Sequence, residues 1–153
     1  MTSIDWCKKQ NNGLELVEPN EDLARAYIKK AEDSLSASLS LDNNKDWKIS
    51  SLYYTMYFSV YAVLMKIGVK CEIHSCTITF AEIFLNNYLT KEELELLKRS
   101  MKARIDVQYY TNRNVSESLY KEMIEKAPEF IVTCKNIIAT LTEKEISEIR
   151  SKI

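Results

Sequence analysis

From Lys48 to Lys66 the intervening 17 residues carry no charge. Ile49, Leu52, Tyr53, Met56, Val60, Tyr61, Val63, Leu64 and Ile67 recur there at steps of three and four, while Tyr54, Tyr57 and Phe58 fill other faces. A helix apolar on nearly every side is either the buried centre of a bundle or a membrane span. A run of this length is at the short limit for crossing a bilayer. Ser50, Ser51, Thr55, Ser59 and the tyrosine hydroxyls also suit a lipid-facing surface poorly. The pattern therefore predicts a central bundle helix, capped by Asp46 and ended by Gly68.

The flanking segments read as helices of the same bundle. Asn20 can cap a first long helix reaching about Leu41, with Leu23, Tyr27, Ala31, Leu35 and Leu39 as its buried stripe. Asp42-Asn43-Asn44 makes the turn into the central helix. Beyond the loop Val69–His74, Ser75 is the expected cap of a third helix, Cys76 to Asn87. Thr90 with Glu93 fits a capping box that opens a fourth helix, to about Asn112. Ser116 caps a fifth, which Pro128 should bend or interrupt. Thr142 with Glu145 repeats the capping box for a short last helix. Residues 1–18 read as an N-terminal appendage anchored by Ile4 and Trp6, with Gly13 breaking the chain before an extended Leu14–Val17. The expected architecture is all-α, an antiparallel up-and-down helical bundle of four to five main helices, with residues 19–153 as one domain.

Composition narrows the class. Only 2 glycines and 2 prolines in 153 residues leave few breakers for the turns of an all-β fold. A net charge of −1 gives no global basic field to advertise nucleic acid. Asp5, Lys8 and Lys9 interrupt any apolar run at the start, so no export signal is read and a cytoplasmic location is expected. In a reducing compartment the 4 cysteines would be thiols.

Candidate chemistry gathers on the fourth helix. Leu94, Leu97, Met101, Ile105 and Gln108 form its inward stripe, and Arg104 shares that stripe at three and four residues' distance. A guanidinium on a packing face must find an anion, a carbonyl, an aromatic face or a partner subunit; otherwise it snorkels to water. Lys98, Arg99, Lys102, Arg104 and Arg113 form a local basic cluster followed by Tyr109 and Tyr110. Cations beside aromatics suit phosphate contact and base stacking, although an ordinary solvated helix face looks the same. Cys71, His74 and Cys76 spell C-x2-H-x-C, but no further ligands at recognisable spacing complete a closed zinc site, so neither metal nor cofactor is expected. His74 is the only histidine. No Gly-rich phosphate loop and no GxSxG occur, which leaves nucleophilic catalysis little support.

Four stretches together resemble the HEPN domains, in particular the small stand-alone prokaryotic members: EPNEDLARAYIKKAEDSL, SSLYYTMYFSVYAVLMKIGVKCEIHS, ITFAEIFLNNYL and RIDVQYY. They span most of residues 4 to 141, and their order and spacing are more specific than any one of them. The resemblance implies a helical bundle that commonly dimerises, with a polar cleft at or near the dimer interface. It also implies a nucleotide- or RNA-binding role, or partnership with a minimal nucleotidyltransferase in a toxin–antitoxin module. Some family members are metal-independent ribonucleases built on R-x4–6-H. Arg104 matches the motif arginine here, but Tyr109, Tyr110 and Thr111 stand where the histidine should follow. Without that imidazole the usual acid–base partner near neutral pH is missing. The expected site is thus Arg104 on phosphate, with Lys102 and Arg113 assisting. Tyr109 and Tyr110 would stack or offer a hydroxyl, Tyr53, Tyr54 and Tyr57 would line the cleft, and His74 would border it. Arg104 and His74 are the residues to test for catalysis.

Overall fold

The computed structural model describes residues 2–153. Its elements run α1 (Ile4–Lys9), β1 (Glu15–Leu16), α2 (Glu21–Leu39), α3 (Lys45–Ile67), β2 (Val69–Lys70), α4 (His74–Phe84), α5 (Lys91–Tyr109), α6 (Glu117–Thr140) and α7 (Glu143–Arg150). The fold is all-α, and the two strands form only a short antiparallel ladder.

Helix α3 is the axis. Nearly every residue from Lys48 to Ile67 is buried, and the helix packs against α2, α5 and α6. Burying one Leu, Ile or Met side chain contributes about 1.5–3 kcal/mol, so this one element carries much of the core. Its hydroxyls are used internally: Thr55 donates to the Ser51 carbonyl, Ser59 donates to that of Thr55, and Tyr61 accepts from the Cys71 amide at 3.2 Å. Such internal bonds let polar residues sit in a core. No described helix is long and apolar enough to cross a membrane.

The cap of α3 differs from expectation. Asn44, not Asp46, accepts from the Trp47 amide, so the helix begins two residues earlier and Asp46 lies in its first turn. Gly68 ends it as expected, in the left-handed conformation at φ 87°. A Cβ there would lie 2.5 Å from the Val17 carbonyl oxygen, because the β1 segment passes directly over the helix end. Arg150 of α7 closes the same corner, donating to the carbonyls of Val17 at 2.7 Å and Gly68 at 2.7 Å.

Capping chemistry located most other starts. Asn20, Thr90, Ser116 and Thr142 cap α2, α5, α6 and α7, and both capping boxes are closed. The buried stripe of α2 is rotated from the expected one. Ala31 is buried and Tyr27 and Leu35 pack against the core as expected, but Leu23 and Leu39 are exposed, and Ala24 and Ile28 face the core instead, the alanines allowing close approach to α3. Helix α4 starts at His74, without a side-chain cap, and stops at Phe84, short of Asn87. Helix α5 likewise stops at Tyr109. Pro128 does not interrupt α6, which is continuous. Pro128 and Ile124 both face solvent, so the carbonyl deprived of its donor stays accessible to water.

At the N-terminus Trp6 is 46% exposed and Ile4 half-buried, so Cys7 is the true anchor. Cys7 is disulfide-bonded to Cys76, which corrects the expectation of four thiols; Cys71 and Cys134 remain free and buried. The link exists because α1 packs on α4 and brings the two Cα atoms to 5.6 Å.

Candidate functional site

Three elements converge on Arg104. Helix α3 supplies Tyr53, Tyr54 and Tyr57, α4 supplies His74 as its first residue, and α5 supplies Arg104 and Gln108. Tyr53 and Tyr57 are one turn apart and both buried, and both contact the histidine. The Tyr53 hydroxyl is 2.8 Å from His74 Nδ1, and the Tyr57 ring stacks on the imidazole at 4.0 Å between centroids, 3° from parallel. Tyr57 also shares a 3.3 Å hydrogen bond with Thr77.

Arg104 lies over this aromatic floor. Its guanidinium carbon is 5.2 Å from the Tyr53 ring centroid and 5.7 Å from that of Tyr54. One terminal nitrogen donates to the Tyr54 hydroxyl at 3.4 Å and to Gln108 Oε1 at 3.2 Å. Its Nε is buried and without a hydrogen-bond partner among the described residues. Cation–π contact holds the guanidinium without cancelling its charge.

The electrostatics follow from that placement. Burial, reinforced by the Arg104 charge, lowers the His74 pKa to about 4, so the ring is neutral across the physiological range. Burial is also the main reason that the Tyr53 and Tyr57 hydroxyls are pushed well above the ordinary tyrosine value. Near neutral pH the site therefore carries one positive charge, on Arg104, above neutral hydrogen-bonding rings.

The rest of the basic cluster is differently employed. Lys98 pairs with Glu82, Arg99 makes a two-pronged pair with Glu122, and Lys102 and Arg113 both pair with Asp106. Together Lys102 and Arg113 hold the Asp106 carboxyl below its usual range. Arg104 is the one member of the five without a carboxylate partner among the described residues. Lys102 and Asp106 each lie two residues from Arg104, roughly 200° around a helix, so they occupy a different face. Tyr110 belongs to that second face, its ring 3.5 Å from the Arg113 guanidinium carbon, and Tyr109 is 66% exposed at the end of α5. The structure thus brings together Arg104, Tyr53, Tyr54, Tyr57 and His74. It groups Lys102, Arg113 and Tyr110 separately around Asp106.

Two polar members of the first group were not singled out from the sequence. Gln108 lies on the α5 stripe four residues from Arg104, and that spacing is the signal for its contact with the guanidinium. Thr77 carried no such signal. The Cys71-His74-Cys76 motif is not a ligand set here, since Cys76 is bonded to Cys7 and His74 Nδ1 faces Tyr53.

The HEPN domain model matches residues 24–137. The chain belongs to the HEPN domain family. This HEPN match runs from the first turn of α2 into the last turn of α6 and contains every residue of the Arg104 group. The HEPN protein is also similar to "Putative toxin MJ0142" of Methanocaldococcus jannaschii, at 28% identity over 115 residues, covering 72% of this chain and 78% of the relative.

Proposed function

We propose that this HEPN protein binds the phosphate of a nucleotide or RNA at Arg104, and that it acts as a homodimer in a prokaryotic toxin–antitoxin-type pair with a minimal nucleotidyltransferase. The observation that carries the binding reading is the uncompensated guanidinium of Arg104, fixed by two tyrosine rings and Gln108. A charge held in place, with a free donor edge and no carboxylate, is poised for an oxyanion. Similarity to the protein named "Putative toxin MJ0142" supports the toxin-type half of the proposal.

One observation favours a second reading, a metal-independent ribonuclease with an altered centre. Exposed Tyr109, Tyr110 and Thr111 stand where the family's motif histidine should follow, yet His74 lies against Tyr53, whose ring is under the Arg104 guanidinium. A ring with a pKa of about 4 is a weak base at neutral pH, which is why binding is the leading reading.

The test is RNA binding and cleavage by the purified protein and its Arg104→Ala variant in EDTA. The binding reading expects retention of RNA by the wild type, loss of at least ten-fold in affinity for Arg104→Ala, and no cleavage by either. Cleavage by the wild type that disappears in both Arg104→Ala and His74→Ala would instead establish the enzyme. Co-expression with a small nucleotidyltransferase encoded beside its gene tests the partnership, and failure to co-purify would sink that part.

A further inference from the structure

A cavity of about 160 Å³ opens beside the Arg104 group, between the first turns of α3 and the last turns of α5, lined by Asn44, Asp46, Trp47, Ser50, Val107 and Gln108. Gln108 belongs to both places, since the same side chain accepts from Arg104. Trp47 is 60% exposed at this rim, although it sits on the most buried helix of the protein. An indole presented to solvent next to a cavity is a stacking platform, and the cavity has room for one planar ring rather than a drug-sized ligand.

Charge tells what kind of ring. The neighbouring cations are already engaged: Lys45 with Glu117 and Arg113 with Asp106. The carboxylate of Asp46 makes no ion pair or hydrogen bond among those described. Asp46 is therefore the one charged side chain lining the cavity, unlike the cationic Arg104 group one side chain away. A second phosphate would be repelled there, whereas a ring edge rich in N–H donors would be drawn in. A carboxylate only accepts hydrogen bonds, and guanine offers it two adjacent donors, N1–H and the N2 amino group. Uracil offers a single N–H flanked by two carbonyls that a carboxylate repels.

We propose that this cavity is a nucleobase subsite selective for guanine, in which Trp47 stacks on the base and Asp46 accepts from its Watson–Crick edge while Arg104 holds the phosphate. The proposal rests on the phosphate-binding reading above and deepens it by naming the base.

The experiment compares binding of guanosine monophosphate, uridine monophosphate and ribose 5-phosphate by calorimetry. It uses wild type, Trp47→Ala, Trp47→Phe, Asp46→Asn and Arg104→Ala. Because Trp47 and Asp46 are exposed, none of their replacements threatens the core. Guanosine monophosphate is expected to bind at least ten-fold more tightly than uridine monophosphate. Trp47→Ala should remove at least ten-fold of that affinity without changing ribose 5-phosphate binding, and Trp47→Phe should restore most of it. Asp46→Asn should bring the two nucleotides together, and Arg104→Ala should weaken all three ligands alike. In a Trp6→Phe background, where Trp47 is the remaining tryptophan, guanosine monophosphate should quench the emission. Equal binding of the two nucleotides, or indifference to Trp47→Ala, with Arg104 dependence intact, overturns the base subsite alone. No binding of any of the three by the wild type overturns the phosphate reading together with it.

Discussion

Arg104 is held rather than neutralised, and this has opposite consequences for binding and stability. Its Nε is buried without a partner, so the side chain contributes less to folding than its contacts suggest. Arg104→Met is expected to abolish phosphate binding while leaving stability unchanged or raising it by up to about 1 kcal/mol, as urea unfolding would read it. A loss of several kcal/mol would mark Arg104 as a structural residue instead. His74 gives the second prediction at this scale. Its pKa is about 4 in the folded protein, against an ordinary value of 6.5. The unfolded chain therefore takes up the proton first, and the stability this group contributes is complete above the unfolded value and lost as pH falls through the window to about 4. The melting temperature should drop across that window more steeply for the wild type than for His74→Gln, and parallel curves would refute the assignment.

Among the elements, the end of α3 is the most constrained point. Gly68 takes a positive φ beneath the Val17 carbonyl, with Arg150 donating to carbonyls on both sides of the crossing. Gly68→Ala should cost about 1–3 kcal/mol, since neither the backbone angle nor the space suits a Cβ. A cost below a few tenths by urea unfolding would show that the β1 segment yields easily. The Cys7–Cys76 bond ties α1 to α4 across 69 residues. Closing a loop of that length in the unfolded chain stabilises by about 4 kcal/mol in the chain-entropy picture. Cys7→Ser should approach that loss in urea without reductant, and the difference from wild type should vanish when dithiothreitol is present. These two elements behave as they do because distant segments cross there, which local propensity does not encode.

Taken whole, the molecule carries a net charge of −1, and its one dense basic cluster is largely paired internally. Long-range steering of a polyanion is then weak, and affinity must come from one held cation and its surroundings. If a single phosphate is engaged, the logarithm of RNA affinity should fall with the logarithm of salt concentration at a slope of about −0.7. A slope of several would implicate a broad basic surface, and the Lys102–Asp106–Arg113 group would be the first place to look.

At this same scale the sequence by itself determined the all-α class, α3 as its centre and most helix starts. Those follow from short-range rules, the periodicity of apolar positions and side chains that cap amides three residues away. It also offered Arg104 and three of the four tyrosines of α3, Tyr53, Tyr54 and Tyr57, as candidates. The tertiary structure decided which of these residues meet. It brought His74 from a separate helix onto Tyr53 and Tyr57, and it turned four of five neighbouring cations toward carboxylates. It also joined Cys7 to Cys76 and set Trp47 beside Gln108. Each of these depends on how one helix is rotated and seated against another. That is fixed by side-chain volumes across the whole core, such as the small residues that turned α2 toward α3, and a single segment read alone does not contain it.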